Sequence, residues 1–143
     1  MDITMQIILN SYETDDDGFY YCLNRITIND FWDDNVMALN YWTEADYQRQ
    51  WLEGLERIKT HDTSCLVASI QSPVKSQPLL NWWVLFKIKD RIIINNLLTM
   101  DKSYMKLVGD RDFSPDNCYD FIRLRDTSKT IKGYQVSEWF VEL

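Results

Sequence analysis

The chain has 143 residues, 45% of them hydrophobic and 14% aromatic, with a formal net charge of −7. A chain of this length buries roughly 68–70% of its unfolded surface, so one domain over 1–143 needs no disulfide or metal to hold it. No run reaches the ~18–20 apolar residues of a bilayer span, and the opening MDITMQIILNSYETDDD lacks the basic start and small-residue cleavage site of a secretion signal.

In chain order, MDITMQIILNS contains a strand-like run that ends at an acidic turn, ETDDDG. FYYCLNRITIND, rich in β-branched and aromatic residues, reads as a second strand. FWDDN reads as an acidic stretch leading into a short third strand, VMALNYW. Thr43 is a good N-cap, and Asp46 places negative charge near a helix N-terminus. Tyr47, Trp51, Leu55 and Ile58 then recur at spacings of four, four and three, which predicts a helix over about 44–59 with one apolar face. Its other face, Gln48, Arg49, Glu53 and Glu56, is polar. The aromatic cluster YWTEADYQRQW is therefore mostly core, with Tyr41 or Trp42 stapling the helix start.

SCLVASI (64–70) predicts a strand and SPVKSQP (72–78) a loop. LLNWWVLFKI (79–88) is apolar on both alternating sets, as a central strand is. A polar turn at Lys89–Asp90 leads into RIIINNLLT (91–99), completing a hairpin. Ser114 as N-cap and Pro115 at the first helical position predict a short helix over about 115–122, and KGYQVSEWFVEL closes as a strand. The order predicts an α+β fold with a twisted, largely antiparallel sheet, one main helix and one short helix.

Cys22, Cys65 and Cys118 are odd in number and widely spaced, which argues for buried free thiols rather than a disulfide framework or metal site. His61, the only histidine, sits in KTHDTS as a polar end to the helix. No GxSxG, HExxH, CxxC, P-loop or GxGxxG occurs. TDDDGFYY lacks the spacing of a calcium loop. The expectation is a cytoplasmic binding protein with no catalytic residues, no cofactor and no metal.

Charge suggests what it binds. Residues 1–62 hold 13 acids against 4 bases, a net of −9, whereas residues 63–143 net +2. Such asymmetry points to a charged partner. The acidic half would repel a polyanion, since nucleic-acid binding rests on Lys and Arg displacing counterions, and would attract a basic protein. The alternative is a module that stacks single-stranded nucleic acid on its Trp and Tyr side chains, with Lys87, Lys89, Arg91, Arg123, Arg125, Lys129 and Lys132 as its only source of a basic groove.

The segments ITINDFWDDNVMALNYWTEADYQRQWLEGL, THDTSCLVASIQSP, NWWVLFKIKDRIIINN, FSPDNCYDFI and YQVSEW, in that order, carry a further signal. They resemble the CdiI immunity proteins of bacterial contact-dependent growth inhibition, in the branch paired with a colicin-like ribosomal-RNA nuclease toxin. The resemblance runs from about Ile26 to Trp139, and its most specific motif is INDF-(8)-NYW-T-x-x-DY-x-x-x-W. The N-terminal MDITMQIILNSYETDDDGFYYC matches least well. The resemblance implies a Whirly-like antiparallel fold and a cytosolic partner of a CdiA C-terminal toxin domain, a basic nuclease of RNase type, with no membrane and no direct nucleic-acid contact. It implies scaffold roles for Tyr41, Trp42, Tyr47, Trp51, Trp82 and Trp139 and supplies no contact residues.

The contact surface must come from charge and alternation. Asp15, Asp16 and Asp17, with Asp30, Asp33 and Asp34, form the candidate toxin-binding patch around Trp32. Phe31 and Trp32 are adjacent and point to opposite faces if extended, so one joins the core and the other stands near the acids. Asp62, Glu53 and Glu56 offer the alternative acidic surface.

Overall fold

The fold comes from a computed structural model, which describes residues 2–13, 20–71, 79–99, 113–123, 130–131, 134–135 and 137–142. Strands β1 (Ile3–Glu13), β2 (Tyr20–Ile28) and β3 (Phe31–Ala38) form an antiparallel sheet in that order. Along β2, Cys22, Asn24, Ile26 and Ile28 are buried while the residues between them are half-buried, as in a sheet covered on one face. A two-residue turn, Asn29–Asp30, joins β2 to β3, with Asn29 at φ 53°, a left-handed conformation that Asn tolerates better than most residues.

That early turn corrects the expected third strand. FWDDN is not a connection, since Phe31 to Asn35 already pair with Ile28 to Asn24, and β3 ends at Ala38. Asp and Asn have low strand propensity, but cross-strand pairing overrides it, with Arg25 opposite Asp34.

The second sheet contains β4 (Thr63–Gln71), β5 (Leu79–Ile88), β6 (Arg91–Thr99) and, after a minimal hairpin of β7 (Thr130–Ile131) and β8 (Tyr134–Gln135), the last strand β9 (Ser137–Glu142). Its order is β4-β5-β6-β9, so the doubly apolar β5 lies between two neighbours as its composition requires. The α+β, antiparallel reading holds, with the strands divided between two principal sheets that face each other. Across their interface, Phe31 packs on Trp139 with ring centroids 4.7 Å apart, and Trp139 on Trp83 at 5.3 Å.

A run of amides crosses the same interface. Asn96 donates to Asn81 (2.9 Å), Asn81 to Asn35 (3.3 Å), Asn35 to Asn24 (3.3 Å), and the fully buried Asn24 to the Ala68 carbonyl (2.8 Å). An unsatisfied buried amide costs more than a made hydrogen bond contributes. The chain of amides therefore specifies one register between the two sheets.

Helix α1 (Glu44–Arg57) starts at a capping box. The Asp46 amide donates to Thr43 Oγ1 (3.1 Å) and the Thr43 amide to Asp46 Oδ2 (3.0 Å). Trp42 staples this start by packing on Tyr47, centroids 5.2 Å apart. The expected second helix is tighter and shorter, a 3₁₀ turn at Cys118–Phe121. Ser114 and Asn117 cap its approach reciprocally: the Ser114 amide donates to Asn117 Oδ1 (2.7 Å), and the Asn117 amide to Ser114 Oγ (3.3 Å). Packing limits it to one turn, because Phe113, Cys118 and Phe121 all enter the core.

α1 also completes the sheet. It runs along the edge of β4 that β5 does not pair, and its side chains stand in for a missing strand. Gln50 Nε2 donates to the Cys65 carbonyl (2.7 Å) while the Val67 amide donates to Gln50 Oε1 (2.8 Å). Trp51 Nε1 reaches the Val67 carbonyl (2.8 Å), and the Ile70 amide donates to Tyr47 Oη (2.9 Å). The fit needs a glycine at Gly54, where a Cβ would lie 2.3 Å from the Cys65 carbonyl oxygen. An open strand edge invites pairing with other chains; here it is closed from within.

Candidate partner-binding face

Alternation decides what the outer face of the β1–β2–β3 sheet shows. With Asn24, Ile26 and Ile28 inward, Leu23, Arg25 and Thr27 face outward, and pairing brings Val36, Asp34 and Trp32 beside them. Trp32 is 56% exposed, whereas Phe31 turns the other way onto Trp139. The two adjacent rings thus take opposite faces as expected, but neither joins the core, since Phe31 is itself 36% exposed.

Trp32 is held in place. The Arg25 guanidinium lies 4.2 Å above its ring centroid and grips Asp34 with two hydrogen bonds, Nε to Oδ1 at 2.6 Å and Nη2 to Oδ2 at 3.1 Å. A cation over indole and a forked carboxylate pair both favour fixed geometry. The hydrogen bond from Arg25 holds the Asp34 carboxyl below the usual carboxylate range. Of the described acids expected around Trp32, Asp34 alone shares its outer face. Asp33 pairs with Ile26 and is half-buried on the inner side, and Asp30 is exposed in the turn. Asp15, Asp16 and Asp17 lie outside the described residues.

Asp62 is not part of this cluster. It lies before β4, its carbonyl accepting from the Lys87 amide (2.8 Å). The Asn29–Asp30 turn touches β9 at the opposite edge of the second sheet, through Asn29 Nδ2 and the Phe140 carbonyl (3.3 Å). Three strand spacings, roughly 14 Å, separate those edges. The acidic helix face is largely self-paired: Glu56 with Lys59 (2.8 Å), Glu53 with Arg49 (3.6 Å), and Arg49 also with Asp116 (2.6 Å).

Sequence reasoning missed an apolar row. Leu9, Leu23 and Val36 pair across the three strands, and a register shift between Ile7 and Leu9 sets both Ile8 and Leu9 against Leu23. Leu9 is 51% and Val36 52% exposed, and Ile8 is also exposed. The period-two apolar pattern of β2 pointed to its inner face, and the bulge that brings Leu9 into the row leaves no mark in the sequence.

All three cysteines are free and buried. Burial, with a hydrogen bond to Glu44, pushes the Cys22 thiol up to about 12, and burial likewise raises Cys65, whose Sγ lies 3.7 Å from that of Cys118. Cys22 and Cys65 therefore stay protonated at neutral pH, and the thiolate is the nucleophilic form. Among the described residues no helix is long and apolar enough to cross a membrane, and no group of three or more His, Cys, Asp or Glu is placed to hold a metal.

Residues 37–143 match the CdiI N-terminal domain family. The Immunity protein CdiI of Enterobacter cloacae subsp. cloacae is 29% identical over 121 residues, covering 84% of this chain and 78% of that protein. A chain of the solved CdiA-CT/CdiI toxin and immunity complex from Enterobacter cloacae has a similar fold, with a TM-score of 0.74 at 25% identity over 98% of this chain and 90% of that one.

Proposed function

This chain belongs to the CdiI N-terminal domain family of immunity proteins, and from that premise we propose that it captures the C-terminal toxin domain of a cognate CdiA protein and blocks it by direct contact. The toxin domain is a basic nuclease acting on RNA, met in the cytoplasm, and the immunity protein acts on it without turnover, cofactor or metal. The observation that carries the proposal is family membership joined to a strongly acidic first half, net −9 over residues 1–62. A nuclease must be basic to hold its polyanionic substrate. Opposite charge on the inhibitor raises the encounter rate toward ~10⁸–10⁹ M⁻¹s⁻¹ at low salt. The toxin-binding surface includes Trp32 and Asp34 on the outer face of the first sheet, with Asp30 in the adjoining turn; Asp15, Asp16 and Asp17 are further acids of the same half of the sequence, Asp33 faces inward, and Asp62 belongs to a separate surface.

Burial weakens the single-strand-stacking alternative. Trp42, Tyr47, Trp51, Trp82 and Trp83 are all buried, and the exposed Trp32 already has Arg25 over one face. A stacking platform needs open aromatic faces beside a basic groove.

The test mixes the purified chain with the C-terminal domain of the CdiA-type protein encoded beside it. Nanomolar binding and loss of that domain's RNA cleavage are expected. Single-stranded oligonucleotides at ~150 mM salt should bind no better than the non-specific ~10⁻⁴–10⁻⁶ M. Nanomolar oligonucleotide binding with no effect on the toxin domain would reverse the choice between the two functions.

A further inference from the structure

We infer that the toxin domain docks flat on the outer face of the β1–β2–β3 sheet, with the aliphatic row Ile8/Leu9–Leu23–Val36 as the dry centre of the interface. The inference rests on the proposed function and adds to it the surface used. Three observations support it.

The first is apolar exposure without a structural cause. Strand propensity favours Val36, Ile8 and Trp32 one by one, but it accounts neither for Leu9 nor for four large apolar residues exposed on one sheet. The solvent face of a one-sided antiparallel sheet is ordinarily polar. Here the bulge sets two aliphatic residues against Leu23 where a regular strand would set one. Bulges often serve to re-aim side chains at functional surfaces.

The second is the order of the polar groups beside that row. One register step along, Arg25 and Asp34 are locked together, and the next step holds Trp32 under Arg25. An ion pair that satisfies itself can be covered by a partner without leaving an unpaired charge. A fixed indole loses little freedom on binding. Aliphatic centre, satisfied pair and aromatic anchor together form the core pattern of a protein–protein contact. Nucleic acid has no use for an aliphatic row, which offers neither a stacking plane nor a phosphate ligand.

The third is extent and charge. Eight residues of strand and three strands give a face about 26 Å long and about 14 Å across. That is smaller than the ~800 Å² per partner of a standard interface, so the contact must spread past the sheet. The β2–β3 turn beside it supplies Asp30, and residues 1–62 as a whole carry a net −9, which complements a basic partner. The family match begins at residue 37 and so covers α1 and the second sheet. The outer face lies almost wholly before it, in the part of the chain where this protein's own partner preference can be written.

The experiment measures association and dissociation of the C-terminal toxin domain encoded beside this chain, using full-length variants whose fold is checked by circular dichroism and urea midpoint. The double variant Leu9→Arg/Val36→Arg sets positive charge against a basic partner and should weaken binding by at least ~100-fold, mostly through faster dissociation. Val36→Thr, which keeps shape and strand preference, should cost ~5–10-fold and stays informative if the double variant misfolds. Leu52→Arg on α1 and Leu98→Arg on β6, equally exposed but off this face, should bind as wild type does. Wild-type binding that survives Leu9→Arg/Val36→Arg or Val36→Thr within ~2-fold, or that is lost instead in Leu52→Arg, overturns the surface and leaves the function standing. A wild-type chain that neither binds nor protects against the toxin domain overturns both.

Discussion

Two boundaries of this molecule have opposite treatments. At the edge of β4, five backbone groups between Cys65 and Ile70 are met by side chains of α1 or β2. On the outer face of the β1–β2–β3 sheet, Leu9, Trp32 and Val36 are more than half exposed and no described element packs over them. The sealed edge is where unplanned pairing with another chain would be most damaging. The open face offers only side chains, which select a partner by shape and charge. The two boundaries therefore differ in what they offer another chain: one presents no open strand edge, the other a patterned surface of side chains.

The largest effect should come from breaking the seal. In Gln50→Leu the Cys65 carbonyl and the Val67 amide both lose their partner inside the core. At ~1–3 kcal/mol for each unsatisfied group, urea denaturation should show a loss of about 3 kcal/mol. Gly54→Val forces α1 away from the Cys65 carbonyl and should cost ~2–3 kcal/mol or more. The folded fraction of either variant should still bind the toxin domain as wild type does. Stability unchanged in Gln50→Leu would show that the helix covers the edge without closing it.

The next effect separates the two boundaries in the other direction. Trp32→Ala should leave the urea midpoint nearly unchanged, as exposed substitutions do. It should weaken toxin binding by ~2 kcal/mol, or about 30-fold, through faster dissociation. Binding should also shield Trp32 from a fluorescence quencher, read in a Trp139→Phe background because Trp139 is partly exposed whereas Trp42, Trp51, Trp82 and Trp83 are buried already. Quenching unaltered by a saturating toxin domain would remove Trp32 from the interface.

The same contrast explains what the sequence could reveal. α1 and its cap were legible because Thr43, Asp46 and the Tyr47–Trp51–Leu55–Ile58 spacing are local signals, and β5 and β6 because long apolar runs flank a polar turn. β3 was misplaced because Asp33, Asp34 and Asn35 read locally as loop, and only pairing with β2 makes them strand. The role of Gln50 was hidden because it sits on the helix as one polar residue among several, while its partners lie 15 and 17 positions away. That Phe31 and Trp32 take opposite faces was legible from their adjacency, but not which of them faces outward. The acid rim around Trp32 was not legible, since alternation sends Asp33 inward and Arg25 neutralises Asp34.

The smallest expected effect concerns that neutralised acid. The hydrogen bond from Arg25 lowers the Asp34 pKa below its unfolded value of ~3.9. A depressed carboxylate contributes stability that is fully present above ~pH 4 and is lost as pH falls through the lower folded value. Both side chains are a third exposed, so solvent screens the pair and its share of stability is slight. The more sensitive readout is Trp32, since protonating Asp34 releases the guanidinium that covers the ring. Trp32 emission should hold steady from neutral pH to ~pH 4 and change only below it. Asp34→Asn should show the low-pH emission at neutral pH, and should bind the toxin domain more slowly because one negative charge is gone. An Asp34 carboxyl titrating by NMR at or above ~3.9 would mean that Arg25 does not hold it in solution. The outer face would then be as loosely arranged as it is open, unlike the closed edge of β4.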